Sequence, residues 1–264
     1  MWCEKHSRAR VGKGTYALAS TRSLAPGFLQ ANVTVVPARL AADFVTFCLR
    51  NPRALPLLDV CFARDGFASP RLAPEADVLK DVPWFRVTKQ GRPLTNGSVR
   101  DPAPFLSPGS VAVLTGCSFS FEDDLVSQGL WRPHPGRNVP MFRTRIANAP
   151  CGPFAGNLVV SMRWIRRDNV ARVRAVTSAH AISHGAPLDD IDPAELNLAR
   201  PDYGDANDAQ EPDCQPVFWA CGVTAQAAVG AAVDDAVATH SPGHMFIADV
   251  RSADANRVLA RVVE

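Results

Sequence analysis

The chain has 264 residues, 47% of them hydrophobic and 20% charged, with a net charge of +2. That composition fits a globular protein with room for one large domain or two smaller ones, and it lacks the basic excess of a nucleic-acid or acidic-membrane binder. No apolar run approaches the roughly 18 residues needed to span a bilayer.

The first 22 residues are basic, with Lys5, Arg8, Arg10, Lys13 and Arg22 against Glu4 alone. They lack the continuous apolar segment of a secretory signal. A poorly ordered terminus over residues 1–24 is the expectation, with an import segment for a mitochondrial or other organellar matrix as the alternative. Seven cysteines, an odd number with no CxxC pair, argue against a disulfide framework or a structural zinc site. They place the chain in a reducing compartment, taken as cytoplasmic.

Asn32 to Val36, rich in valine and closed by Pro37, reads as a buried strand. Ala41 to Leu49 carries apolar residues at helical spacing and stops at Asn51-Pro52. Leu57 to Cys61 is a second short apolar run, so strand, helix and strand form a βαβ-like unit. Residues 66–108 are rich in proline and glycine, with a strand at Phe85 to Thr88 and turns at Gln90-Gly91 and Asn96-Gly97. Val111 to Leu114 is the next strand. It passes through Gly116-Cys117-Ser118-Phe119-Ser120-Phe121-Glu122 into an amphipathic helix reaching Leu130. Pro133 to Gly136 is a break. Val139 to Ile146 and Leu158 to Ile165 read as strands, and Asp168 to Ser178 as a helix capped by Asp168. Asp189 to Asp213 is acidic and loop-like. Val217 to Ala220 is a strand, Thr224 to Val233 a helix, and two last apolar runs flank Ser241-Pro242-Gly243.

The block at 116–122 concentrates chemistry. A strand end of small polar residues opening a helix is where α/β sheets place ligands, and first-turn N–H groups favour an anion. Glu122 adds an acid/base group, while the bland alternative is a strand end with Ser118 or Ser120 as helix cap. Phe218-Trp219-Ala220-Cys221-Gly222-Val223-Thr224 has the same form, and the two strand ends could face one cleft. Cys117 and Cys221 are candidate reactive thiols there. Arg137, Arg143 and Arg163 are candidate carboxylate clamps, since a guanidinium pairs bidentately with that group. His240 and His244 lie four apart, but Pro242 and Gly243 forbid the helix a metal pair would need, so a hydrogen-bonding or proton-transfer role is favoured. Asp202-Tyr203-Gly204-Asp205 reads as an exposed turn.

In one order, these blocks resemble the hydro-lyase family also called the D-glutamate cyclase family. The carriers are Pro26 to Asn32, Asp43-Phe44 through Pro52, Pro56-Leu57-Leu58, Gly116 to Glu122, Arg137 to Met141, Val160 to Arg163, His184 to Pro187, Pro216 to Thr224 and Thr239 to Phe246. Leu188-Asp189-Asp190-Ile191 and Ala41-Ala42-Asp43 depart from the family pattern. The resemblance implies an α/β protein with a mixed two-subdomain fold. A three-layer α/β/α subdomain would comprise residues 25–132 plus 214–264, and a smaller two-layer α+β subdomain residues 133–213. It implies a carbon–oxygen lyase acting on a small amino or carboxylic acid, with interconversion of D-glutamate and 5-oxo-D-proline as the candidate reaction. Glu122, His244, Cys117 and Cys221 are then the catalytic candidates. Ser118, Ser120, Arg137, Asn138, Arg143, Arg163, Thr224 and His240 are the substrate-binding ones. No metal or organic cofactor is implied. The partner is a small carboxylate rather than nucleic acid or membrane, and apolar surface candidates leave room for a homo-oligomer. The alternative is an amino-acid or carboxylate binding protein without turnover.

Overall fold

A computed structural model describes residues 20–209 and 212–260. The expected unordered or import segment lies mostly outside these residues, but Ser20 to Leu24 are described and pack at the site below. The fold is a mixed α/β one built on two sheets.

The larger sheet grows around β1 (Phe28–Val36), whose nine residues are buried on both faces. Period-two alternation explains this. Leu29, Ala31, Val33 and Val35 enter one core, and Val36 points to the other. Helix α1 (Ala38–Arg50) buries Leu40, Phe44, Phe47 and Cys48 on one stripe. Asn51 ends it by donating its amide N–H to Cys48 O and its side-chain Nδ2 to Phe47 O. Strand β2 (Leu57–Phe62) follows. The short helix α2 (Val78–Asp81), strands β3 (Phe85–Lys89) and β4 (Arg92–Pro93), and β5 (Val111–Gly116) complete this half. β5 lies between β1 and β2 and is antiparallel to both. The expected βαβ unit is therefore present in split form, its parallel strands separated by a third.

Helix α3 (Phe119–Ser127) then leads to β6 (Met141–Ala147), β7 (Asn157–Arg166) and helix α4 (Val170–Ser178). Asp168 does not cap α4; a 3-10 turn over Arg167–Asn169 intervenes, and the Asp168 carboxylate pairs with Arg166 at the surface. β8 (Cys214–Ala220) joins β6 and β7 in a three-stranded antiparallel sheet in the order β6-β7-β8. β8 thus belongs to the smaller sheet, and the sheet boundary falls after Ala220 rather than at residue 214. Phe121 and Leu125 of α3 and Val173 of α4 pack on Ile165, Val217 and Trp219 of that sheet, forming a second layer.

Helix α5 (Val223–Ala232) returns to the larger sheet and covers one face together with α1. The C-terminal helix α6 (Ser252–Ala260), not anticipated from the sequence, packs on the other face with α2. Before it come β9 (Val237–His240) and β10 (Phe246–Arg251). Both lie along one edge of β1, with Thr34 opposite Thr239 and Ala31 opposite Phe246. Residues 241–245 bulge out between them as a loop. Thr21 holds this loop, its N–H and Oγ1 donating to Gly243 O and its Oγ1 accepting from Met245 N–H. No helix among the described residues is long and apolar enough to cross a membrane.

Gly116 closes β5 where a Cβ would sit 1.7 Å from Ile182 O, so no side chain fits without moving backbone. Gly116→Ala is expected to lower stability by about 1–3 kcal/mol, read as a shift in the urea midpoint at unchanged slope.

Candidate active site

Two strand-to-helix junctions are built alike. At the first, Ser120 N–H donates to Cys117 O and Phe121 N–H to Ser118 O; at the second, Thr224 N–H donates to Cys221 O and Ala225 N–H to Gly222 O. The hydroxyls match as well. Ser120 Oγ accepts from Gln30 N–H at 2.9 Å and donates to Gln30 O, and Thr224 Oγ1 accepts from Val159 N–H at 3.0 Å and donates to Val159 O. Each hydroxyl is thus spliced into a neighbouring strand, β1 in one case and β7 in the other. Ser118 stands at the N-cap position of α3 but makes no side-chain cap hydrogen bond, and Ser120 lies inside the helix, so the alternative reading of a serine cap does not hold. Ser118 Oγ instead accepts from Arg163 Nη2 at 2.8 Å. A charged donor makes a stronger bond than the backbone N–H it replaces.

The junctions meet at buried Asn32. Its Nδ2 donates to Gly116 O at 2.6 Å, and a Cβ on Gly222 would lie 2.2 Å from the same nitrogen. One helix N-terminus therefore stands on either side of this carboxamide. Burial pushes the Cys117 thiol up to about 12, with the charges of Cys221 and Glu122 adding to it and the Phe119 N–H and Arg163 opposing it. Burial pushes Cys221 up to about 11, against the Val223 N–H and Arg163.

Beneath the first junction lies an ion cluster. Ser161, Arg163 and Ile165 alternate along β7 onto the face that α3 covers. Ile165 enters the apolar cluster there, and Arg163 is only 1% exposed. A guanidinium so placed requires a counter-ion. Glu122, in the first turn of α3, supplies it: Arg163 Nη2 reaches Glu122 Oε1 at 2.5 Å, and Arg22 Nε reaches Oε2 at 2.7 Å. The rings of Phe121, Trp131 and Trp219 stand 5.2–5.3 Å from the Arg163 guanidinium carbon, so their faces share in holding the charge. Among the described residues, Arg163 Nε has no hydrogen-bond partner. Two guanidiniums against one carboxylate among the described residues give this cluster a net positive charge.

His240 is the last residue of β9, and His244 lies in the loop between β9 and β10. His240 is buried, and its Nδ1 accepts from Val33 N–H at 3.0 Å, so the ring helps to stitch β1. His244 is half-buried, with Nδ1 at 3.0 Å from Pro242 O. A Cβ on Gly243 would lie 3.4 Å from Ser20 Oγ and 3.7 Å from Asn138 Nδ2, which places the loop, the N-terminal arm and Asn138 side by side. Arg22 also donates to Arg137 O and Asn138 Oδ1.

Arg137 and Arg143 lie further out. Arg137 Nη1 donates to Ala206 O, and Arg143 donates to the Tyr203 hydroxyl; both are exposed. They do not share a strand face, because β6 begins only at Met141. The turn at 202–205 is fastened to this region, since Asp202 accepts from Arg143 N–H and Asp205 from Asn138 N–H. A cavity of about 450 Å³ opens beside Arg163, lined by Trp131, Arg132, His134, Trp164, Arg166 and Asn207 among others. Its lining includes none of Cys117, Ser118 and Cys221, so the cavity and the helix-terminus junctions are neighbours that share Arg163. Among the described residues no cluster of three metal-ligating side chains occurs.

The sequence reading missed Arg22, Asn32 and Trp131 as site residues. Arg22 was hidden among other basic residues of a terminus. Asn32 stood inside a strand pattern, and only its place in the block from Pro26 singled it out.

The family described as D-glutamate cyclase matches residues 111–249. A relative from Rubrobacter xylanophilus, named "Putative hydro-lyase", is 46% identical over 257 residues, covering 94% of this chain and 96% of its own. Relatives with that same designation from Bordetella petrii and Stutzerimonas stutzeri are 45% and 44% identical, each covering 92% of this chain, and 93% and 92% of their own.

Glu122→Gln leaves the buried Arg163 charge without its partner and is expected to cost about 3–5 kcal/mol of stability by chemical denaturation. Burial pulls His240 and His184 down to about 4. In the unfolded chain a histidine titrates near 6.5, so from there down to about 4 the unfolded state binds protons that the native state does not. Stability is therefore full above that window and is lost as pH falls through it, by about 3 kcal/mol per histidine. His240→Gln should flatten the dependence by roughly half in urea unfolding between about pH 7 and pH 4.5.

Proposed function

The chain belongs to the D-glutamate cyclase family, and we propose that it is a hydro-lyase interconverting D-glutamate with 5-oxo-D-proline and water. The observation that carries this reading is the meeting of two helix N-termini at Asn32, beside a buried cluster of net positive charge and a half-buried histidine. Glutamate brings two carboxylates and an amine, and such a place favours negative charge twice over, through the helix ends and through Arg22 and Arg163.

Ring closure joins the amine nitrogen to the side-chain carboxyl carbon and breaks a carbon–oxygen bond. Starting from the ammonium and the carboxylate, two protons leave nitrogen in turn, an oxyanion forms in between, and both protons go to the departing oxygen, which leaves as water. In this reading His244 carries these protons. Its Nδ1 lies 3.0 Å from Pro242 O, and the imidazole takes protons from the nitrogen and returns them to the leaving oxygen. The oxyanion and the spectator carboxylate are held at the helix ends by backbone N–H groups, the Ser118 hydroxyl and Asn138. Glu122 serves as the counter-ion that holds Arg22 and Arg163 in register, and its two oxygens are already engaged by them. Confining amine and carboxyl in one conformer removes much of the entropic barrier.

A second reading, binding of a small carboxylate without turnover, is favoured by that same engagement of Glu122, which withdraws one proton carrier from the site. A single assay separates the two. Purified protein is incubated with D- and L-glutamate and with D- and L-5-oxoproline, and ring and open forms are followed by proton NMR. Interconversion of the D pair is expected, with His244→Ala lowering kcat by about 10²–10⁴-fold and leaving KM within a few-fold. Saturable binding of any of the four compounds without conversion would establish the second reading and remove the first.

A further inference from the structure

Strand β7 runs past the end of its neighbour. β6 pairs with it only as far as Ser161, and Met162 N–H donates to Pro140 O. From there to Arg166, β8 is the one strand among the described residues that pairs with it. The cavity of about 450 Å³ lies along this edge, so its lining draws on both faces of β7: Met162, Trp164 and Arg166 from one, Arg163 from the other. Asn207 lines it from a segment fastened at three consecutive carbonyls. Arg137 Nη1 donates to Ala206 O at 2.8 Å, Trp164 Nε1 donates to Asn207 O at 3.0 Å, and His134 Nε2 lies 2.9 Å from Asp208 O. The wall is thus preformed, as in a ligand pocket. The chemistry of the lining is one-sided. Arg132, Arg163 and Arg166 contribute three guanidiniums, and among the described residues no carboxylate lines the space. Arg166 meets Asp168 in an exposed ion pair, and Glu122 answers Arg22 and Arg163 together. Among the described residues four buried side-chain atoms lack a hydrogen-bond partner, and two of them belong to this lining: Arg163 Nε and Asn207 Oδ1. A donor and an acceptor left over in the walls of one cavity call for a ligand whose polar groups complete the bonding.

We propose that this cavity binds a nucleoside monophosphate, at a site separate from that of the small carboxylate. Three features select this class. The volume lies in the range that holds a ligand of drug-like size, and glutamate would not fill it. A carboxylate is satisfied by one guanidinium in a bidentate pair, whereas a phosphate dianion engages several at once, so three arginines suit the phosphate. The indoles of Trp131 and Trp164 give a base aromatic surface, and the carboxamides of Asn169 and Asn207 give its edge both donors and acceptors. The site does not depend on the cyclase reading, since Cys117, Ser118 and Cys221 of the junctions are not part of its lining.

The test uses the full chain in isothermal titration calorimetry, with AMP, GMP, CMP, UMP, adenosine and inorganic phosphate as probes. At least one monophosphate should bind, one per chain, with adenosine and phosphate each weaker by about tenfold or more. The double variant Arg132→Gln/Arg166→Gln, checked for fold by circular dichroism, should lose about tenfold or more in affinity for that monophosphate. Asn207→Asp places a negative charge in the wall at unchanged size and should weaken binding by a similar factor. Saturating D-glutamate should leave one monophosphate bound per chain. Phosphate that binds as tightly as every monophosphate reduces the site to a plain anion pocket and overturns the proposal. Unchanged affinity in both the double variant and Asn207→Asp overturns it too, because the ligand then sits elsewhere. Loss of all monophosphate binding under saturating D-glutamate puts both ligands in one place and overturns the separation. The absence of binding by any monophosphate, while D-glutamate and 5-oxo-D-proline interconvert, removes the site and leaves the cyclase reading intact. Binding of one monophosphate per chain without that interconversion upholds the site and removes the cyclase reading.

Discussion

A positive charge inside the smaller sheet organises the rest of the molecule. Arg163 projects from the middle of β7 into the layer between sheet and helix, where an unpaired guanidinium would be far costlier than a lost hydrogen bond. Everything around it answers that cost. Helix α3 is turned so that Glu122 in its first turn faces the charge. Ser118 spends its hydroxyl on Arg163 rather than on capping the helix. Three aromatic rings surround the guanidinium, and Arg22 arrives from the N-terminal arm to engage the second Glu122 oxygen. The helix that presents Cys117 and Ser118 is thereby fixed to the smaller sheet, while Ser120 fixes the same helix to β1 of the larger one. The two sheets meet at the place where the polar groups converge.

Much of the architecture was legible because it follows from short-range rules. Alternating valine and threonine marked β1, the spacing of Phe44, Phe47 and Cys48 marked α1, and Asn51-Pro52 marked its end. The likeness of residues 116–122 to residues 218–224 was legible too, since both have an apolar run, a cysteine, a small residue and a hydroxyl at the same offsets. What the chain does not display locally is who stands beside whom. The split of β1 and β2 by β5 depends on pairings as far apart as Phe62 with Val111 and Ala31 with Gly116. The fate of Ser118 depended on a guanidinium forty-five residues away, which a cap rule that weighs only neighbours does not see. Asp168 failed as a cap for a nearer reason, because Arg166 was a better partner than a backbone N–H.

The candidate site divides along the same line. Residues carried by the two junctions come together because each junction fixes its own geometry. Residues judged by type alone scatter: Arg137 and Arg143 serve the loops that fasten Tyr203 and Ala206, and His240 is consumed in tying β9 to β1. Family membership speaks to the chemistry of water loss or gain, and the substrate has to be argued from charge and shape.

The grip of Thr21 on the loop at residues 241–245 sets a constraint on how the protein is made. The contact spans 222 positions. During synthesis from the N-terminus, β1 and the arm before it emerge long before the loop that they must hold, and the larger sheet cannot close its edge on β9 and β10 until the last part of the chain is available. The seat for Arg22 is ready once α3 has formed, yet the cleft it borders stays open on one side. Closure of the sheet edge therefore waits on the end of synthesis, and a chain released before residue 241 would carry both junctions without the loop that Thr21 holds.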